Sequence, residues 1–167
     1  MLNAKGQVVG IAFQGYDNIN EFVPYCVFEK FLSLPTQVQP GELVSVPGLS
    51  FGWRPLENKA MIAYLGLNAL LGNNKSGIYV KFVVPFGSVS KVLLTGDVIV
   101  EVEGVSVGNL GTVLLASNRI GFEHLFTSMA IGDTVHVGIV RHGVRHDISW
   151  TLTSAVGAQL VPKCDQT

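Results

Sequence analysis

The sequence predicts a mainly β chain with a few short helices, an α+β fold. Three observations carry that expectation. Nineteen glycines punctuate 167 residues. Between them lie short runs rich in Val, Ile and Phe, the signature of strands bounded by turns. Helical spacing of apolar residues appears only in brief windows. At 48% hydrophobic and 14% charged, with mean hydropathy +0.41, the chain is too apolar for a disordered segment. Gly, Asn, Lys or Asp interrupts every apolar stretch well short of the ~20 residues a helical span needs, so no membrane span is expected. Eleven basic residues against twelve acidic ones leave a formal charge of -1, which excludes an electrostatic footprint for nucleic acid. Cys26 and Cys164 are too few for a disulfide framework or a zinc cluster. Met1 leads into LNAKGQ, with no basic stretch followed by an apolar core, so no secretory leader is expected here.

The elements follow in order. Gln7–Phe13 is β-rich after the turn former Gly6 and predicts a strand. Gly15–Asn20 (GYDNIN) predicts a loop, and Glu21–Val23 a second short strand. Pro24 precedes Tyr25–Leu32, where apolar residues at 27, 28, 31 and 32 repeat at helical spacing. Leu34–Glu42 carries Pro35, Pro40 and Gly41 without periodicity, and predicts a linker over 35–42. Pro47–Pro55 (PGLSFGWRP) predicts a Gly-rich turn into a strand ended by Pro55. Glu57–Leu67 predicts a helix, with Asn58 as its cap and Met61, Ile62 and Leu65 on one face. Gly72–Gly77 predicts a loop and Ile78–Val84 a strand. Ser88–Leu94 predicts a short helix, and Asp97–Val107 two strand pieces bent at Gly104. Gly121–Met129 predicts a helix with Phe122, Leu125, Phe126 and Met129 on one face. Thr134–Leu152 predicts a hairpin turning at His142-Gly143, and the tail after Ser154 (155–167) a poorly anchored end.

Two stretches, Gly77–Asn109 (GIYVKFVVPFGSVSKVLLTGDVIVEVEGVSVGN) and Gly132–Leu152 (GDTVHVGIVRHGVRHDISWTL), resemble a PDZ domain of the HtrA/Deg serine proteases. N-x-G-T at Asn109–Thr112 and R-I-x-F-E-H-L at Arg119–Leu125 resemble the plant- and yeast-type Deg subgroup. The segment LNAKGQVVGIAFQG (Leu2–Gly15) is similar to the strand just after the nucleophile motif GNSGGP of those proteases. NEFVPYCVFEKFL (Asn20–Leu32) is similar to the last strand and terminal helix of their chymotrypsin-like barrel. The resemblance implies a remnant of that barrel over 1–34, the linker, a PDZ-like partly open β-barrel over 43–154, and the tail.

Serine proteolysis needs Ser, His and Asp converging beside an oxyanion hole. The family carries His and Asp in the first half of the barrel, which this chain does not match, and GNSGG is absent. Ser50, between Leu49 and Phe51, falls in the PDZ-like loop. The four histidines, His124, His136, His142 and His146, all lie in the PDZ-like part. His136 and His146 are expected to face each other across the last hairpin, a pair short of a third ligand and therefore read as surface residues. Cys26 sits in an apolar helical run and reads as a core residue. Asp97 and Glu101 form no evident acid/base pair. No catalytic residue, cofactor or metal is expected.

What the resemblance leaves is peptide binding by strand addition. A Gly-rich loop would hold a terminal carboxylate on its N–H groups. Tyr64–Leu67 (YLGL) competes for that role, but Gly48–Phe51 (GLSF) is followed by a strand, a helix and the GIYV strand, as the family requires. The implied binding residues are Gly48, Leu49, Ser50, Phe51, Gly52 and Trp53, with Leu125 and Met129 on the helical wall. Arg54 is weighed as a contact for an acidic peptide. The implied partners are segments or C-termini of unfolded or substrate proteins, in protein quality control. Self-association through the N-terminal strands is also expected. The alternatives are a part of an active serine endopeptidase whose catalytic half lies outside this chain, and a scaffold or assembly module using the same groove.

Overall fold

The computed structural model describes residues 1–16, 19–33, 46–67 and 77–154. The chain divides into two compact units, Met1–Ser45 and Val46–Thr167.

In the first unit, β1 (Gly10–Tyr16) and β2 (Ile19–Pro24) pair antiparallel, with an irregularity between Ala12 and Gln14. The expected six-residue loop is therefore mostly strand: Gly15 pairs Asn20 and Tyr16 pairs Ile19, and positions 17–18 lie outside the described residues. The strand begins three residues later than Gln7, and Val8 instead forms an isolated bridge with Leu2. Helix α1 (Tyr25–Ser33) follows directly on Pro24, as the apolar spacing predicts. Val27, Phe31 and Leu32 on it are exposed.

The second unit is built on one sheet. Its strands are β3 (Phe51–Pro55), β4 (Ile78–Val83), β5 (Val98–Val102), β9 (Thr134–Arg141) and β10 (Val144–Thr151), in the order β10-β9-β5-β4-β3. A two-residue strand β6 (Val105–Ser106) folds back on β5 through Glu103 and Gly104, both at positive φ. The described strands close no barrel. Against one face lie a second hairpin, β7 (Thr112–Leu115) with β8 (Asn118–Gly121), and helix α3 (Glu123–Thr127). Helix α2 (Lys59–Tyr64) lies on the other face, started by Asn58, whose Oδ1 accepts the N–H groups of Ala60 and Met61 at 2.9 and 3.2 Å.

Two bulges let single strands serve both faces. In β4 the register steps from Gly52↔Phe82 to Trp53↔Val80, so Lys81 is the extra residue. In β5 it steps from Ile99↔Ile139 to Glu101↔Gly138, so Val100 is extra. The larger core then takes Val80, Ile99, Val102, Val137 and Ile139 with Phe122 and Phe126. The smaller core, under α2, takes Val98, Val100 and Val140 with Leu56, Ile62 and Leu67. Asp97 is 1% exposed and carries two bonds from Arg141 at 2.7 Å and one from the Leu94 N–H at 2.8 Å. That carboxylate hydrogen bond pushes the Arg141 guanidinium above its usual range.

Three expectations need correction. Ser88–Leu94 is a run of turns, not a helix: Ser90 and Val92 bond back three residues, and only Leu93 to Val89 spans four. The Ser90 hydroxyl donates to the Gly87 carbonyl and competes with helical bonding, while Val89 and Leu93 still reach the core. The helices expected over 57–67 and 121–129 shrink to Lys59–Tyr64 and Glu123–Thr127, because Gly121 is already the end of β8. The final hairpin turns at His142-Gly143 as expected, which pairs His136 with Ser149 and His146 with Ile139. The two histidines therefore do not face each other. The loop at 72–77 falls outside the described residues except for Gly77, and the linker and tail lie wholly outside them.

Candidate functional site

Among the described residues the sheet ends in β3, which there pairs only with β4. The ladder geometry fixes where its other edge points. The Val84 N–H donates to the Ser50 carbonyl at 2.9 Å, so Phe51 and Val83 form a non-hydrogen-bonded pair. The N–H and C=O of Phe51 consequently point away from β4. Val80 spends its own N–H on Asp97 and its carbonyl on Gly96, so its partner Trp53 also directs its main-chain groups outward. The row then stops. Pro55 has no N–H to offer, and the Leu56 N–H is taken by the Asn109 carbonyl at 2.9 Å. An added strand would find pairing groups at Phe51 and Trp53 and no further along.

The loop before β3 is held from two sides. The Gly48 N–H donates to the Thr153 carbonyl at 3.1 Å, and Pro47 bridges Ser154. Ser50 sits at φ 54, the left-handed region that suits glycine, with its Cβ against Gly87. Among the described residues the N–H groups of Leu49 and Ser50 find no acceptor, which leaves successive donors beside the outward N–H of Phe51. Consecutive N–H groups of this kind form an anion-binding concavity.

Side chains alternate across the edge. Phe51 and Trp53 face α3: their rings meet Phe126 at 6.3 Å and Phe122 at 5.2 Å, both edge-on. Phe51, Phe122 and Phe126 are buried in the core, so Phe51 can meet a ligand only through its backbone. Leu49, Trp53, Leu125 and Met129 are half-buried and pack on the margin of the larger core. The opposite face of β3 is occupied. The Phe82 ring covers Gly52, where a Cβ would meet it at 2.2 Å. Arg54 lies over the Tyr79 ring at 4.6 Å with its Nη2 3.5 Å from the Met61 sulfur, on the α2 side and away from the groove.

One polar bridge crosses from strand to helix. The Trp53 Nε1–H donates to Glu123 Oε1 at 3.0 Å, and the other carboxylate oxygen lies over Gly121. The indole rests against Gly111, whose φ is 74 and where a Cβ would strike the ring at 2.3 Å. Sequence reading singled out Trp53 but not Glu123, since nothing local connects residues 70 positions apart.

Gly48–Gly52 spells G-x-S-x-G, which corrects the expectation that the chain holds no such nucleophile motif. The structure gives it no elbow geometry: the turn leads into a strand, not a helix, and Ser50 Oγ is buried without a hydrogen-bond partner among the described residues. Among the described residues no group of three His, Cys, Asp or Glu side chains could hold a metal, and no helix is long and apolar enough to cross a membrane. A separate cavity of about 560 Å³ lies between Tyr64, Tyr79, Leu94 and the His142-Gly143 turn, beside the satisfied Asp97–Arg141 pair.

In this β-rich α+β unit, β3 and the start of α3 meet through Trp53, Phe122 and Glu123. No protein-family model matches the chain. It is 33% identical over 166 residues to Protease Do-like 2, chloroplastic, of Arabidopsis thaliana, covering 96% of this chain and 26% of that protein. It is 27% identical over 161 residues to Putative protease Do-like 3, mitochondrial, of the same plant, covering 94% and 27%. Among solved structures, the HtrA-type protease AlgW with a decapeptide superposes at TM-score 0.59 and 19% identity, over 91% of this chain and 43% of that one. Over 84–96% of its length the chain is thus homologous to Deg/HtrA-like proteases, and it spans about a quarter of the length of these curated relatives.

Proposed function

We propose that residues 43–154 form a PDZ-type module that takes an extended peptide as an added strand on β3, against α3. The observation that carries this reading is the outward main chain of Phe51 and Trp53, beside the acceptor-free N–H groups of Leu49 and Ser50. A C-terminal carboxylate would rest on those donors, and an apolar side chain would enter between Leu49, Leu125 and Met129. The AlgW structures with a decapeptide and, for a variant, a tripeptide (TM-score 0.53, 18% identity, 92% of this chain and 47% of that one) support peptide binding on this fold. Residues 1–34 are then the last strands and helix of a protease barrel and 35–42 the linker. This region is non-catalytic and recruits substrate for a serine endopeptidase.

Peptides with apolar C-termini should bind with micromolar affinity, roughly −8 kcal/mol. Leu125→Lys should weaken binding at least ten-fold while the circular dichroism melt stays cooperative. Undiminished binding to that variant would remove α3 from the site. The chain should neither cleave casein nor label with a serine-directed fluorophosphonate; labelling of a single serine would restore the enzyme reading. The exposed Val27, Phe31 and Leu32 face supports self-association of the full chain, to be read by light scattering against Phe31→Asp; equal monomer mass for both would end that idea.

A further inference from the structure

We propose that Glu123 makes the groove selective for a basic side chain two residues before the apolar one, a Lys/Arg-x-apolar pattern. This rests on the groove reading above and specifies its ligand. The register comes from the edge itself. Only Phe51 and Trp53 present both an outward N–H and an outward C=O, so a strand running antiparallel places two of its residues opposite them, with one residue between. Partners across an antiparallel pair put their side chains on the same face. Phe51 and Trp53 both turn toward α3, so both paired ligand side chains do as well. The one opposite Phe51 enters the apolar lining of Leu49, Leu125 and Met129. The one opposite Trp53 lies two residues toward the ligand's N-terminus and meets the Trp53–Glu123 bridge.

The chemistry at that end is that of a cation site. Glu123 Oε1 is fixed by the Trp53 indole at 3.0 Å, and no other described side chain pairs with its carboxylate. Neutralising charge does not reach it from β3, because Arg54 is turned to Tyr79 on the far face. A lysine or arginine brought alongside gains a charge-assisted hydrogen bond to the carboxylate and can lie against the indole. The ladder ends just beyond, at Pro55 and the Leu56–Asn109 bond, so longer ligands exit here and do not lift the helix. Glu123 is a specificity residue, and Trp53 is the positioning residue that aims it.

The test is a titration of the full chain with two peptides, one ending in Lys-Ala-Val and one with norleucine in place of the lysine. The wild type should bind the lysine peptide about five-fold tighter, in the range of a partly exposed charge pair, and the gap should narrow at high salt. Glu123→Gln should abolish the gap between the two peptides, and Glu123→Lys should favour a peptide with glutamate at that place. If both peptides bind the wild type equally, or the gap survives in Glu123→Gln, the selectivity is wrong and the groove reading stands. If neither peptide binds the wild type, the groove reading fails and this inference with it.

Discussion

The Val84 N–H donates to the Ser50 carbonyl at 2.9 Å, and that bond decides which way Phe51 faces. It closes the last rung of the β3–β4 ladder on one residue and turns the next residue's main chain away from β4. Ser50 is therefore both the end of the sheet and the start of the candidate site.

Ser50 adopts φ 54 with a buried hydroxyl that has no partner among the described residues. Left-handed backbone costs a non-glycine residue about 1–2 kcal/mol, and an orphaned buried hydroxyl adds about 1 kcal/mol or more. Glycine gives back roughly 0.5–1 kcal/mol in chain entropy. Ser50→Gly is therefore expected to raise stability by about 1 kcal/mol in urea unfolding, with peptide affinity equal or higher. A loss of stability would mean that the Ser50 Cβ packing on Gly87 outweighs the strain.

How much of this was legible depends on the residue. Runs such as Ile78–Val83 and Val98–Val102 announce themselves by β-branching, and His142-Gly143 announces its turn. The β7–β8 hairpin does not. Its turn is Ala116-Ser117, both at positive φ, without the Asn-Gly or Gly that would signal it. The bulges at Lys81 and Val100 come from packing two cores with one sheet, which no local pattern encodes. Of the residues nominated for binding, Leu49, Trp53, Leu125 and Met129 pack on the margin of one core, Phe51 is part of that core, and Glu123 enters only through its tertiary contact with Trp53.

Asp97 holds the β9–β10 hairpin to the turn after Ser88 through Arg141 and Leu94. Removing one partner of a buried pair costs about 3–5 kcal/mol, and Arg141 keeps a quarter of its surface in water, which places the effect at the low end. Asp97→Ala should lose about 3 kcal/mol in chemical unfolding and speed amide exchange in β9. A change below 1 kcal/mol would show that the pair is solvent-compensated.

Gly52 and Gly111 both lie under aromatic rings but should respond differently to alanine. At Gly52 the obstacle is the outer end of Phe82, half exposed and able to swing away. At Gly111 the backbone is left-handed and the obstacle is Trp53, held between Phe122 and Glu123. Gly52→Ala should cost under about 1 kcal/mol, Gly111→Ala about 2–3 kcal/mol with altered tryptophan fluorescence. Equal costs would contradict the pinned indole.

The central claim is that the Leu49–Trp53 edge and α3 together receive a peptide strand. Amide chemical shifts of the labelled chain, followed while a peptide with an apolar C-terminus is added, test it most directly. The account predicts that Leu49, Ser50, Phe51 and Trp53 shift together with residues 121–129, while the 141–146 hairpin tip stays in place. Shifts confined to that hairpin tip, with the loop and α3 unmoved, would contradict it.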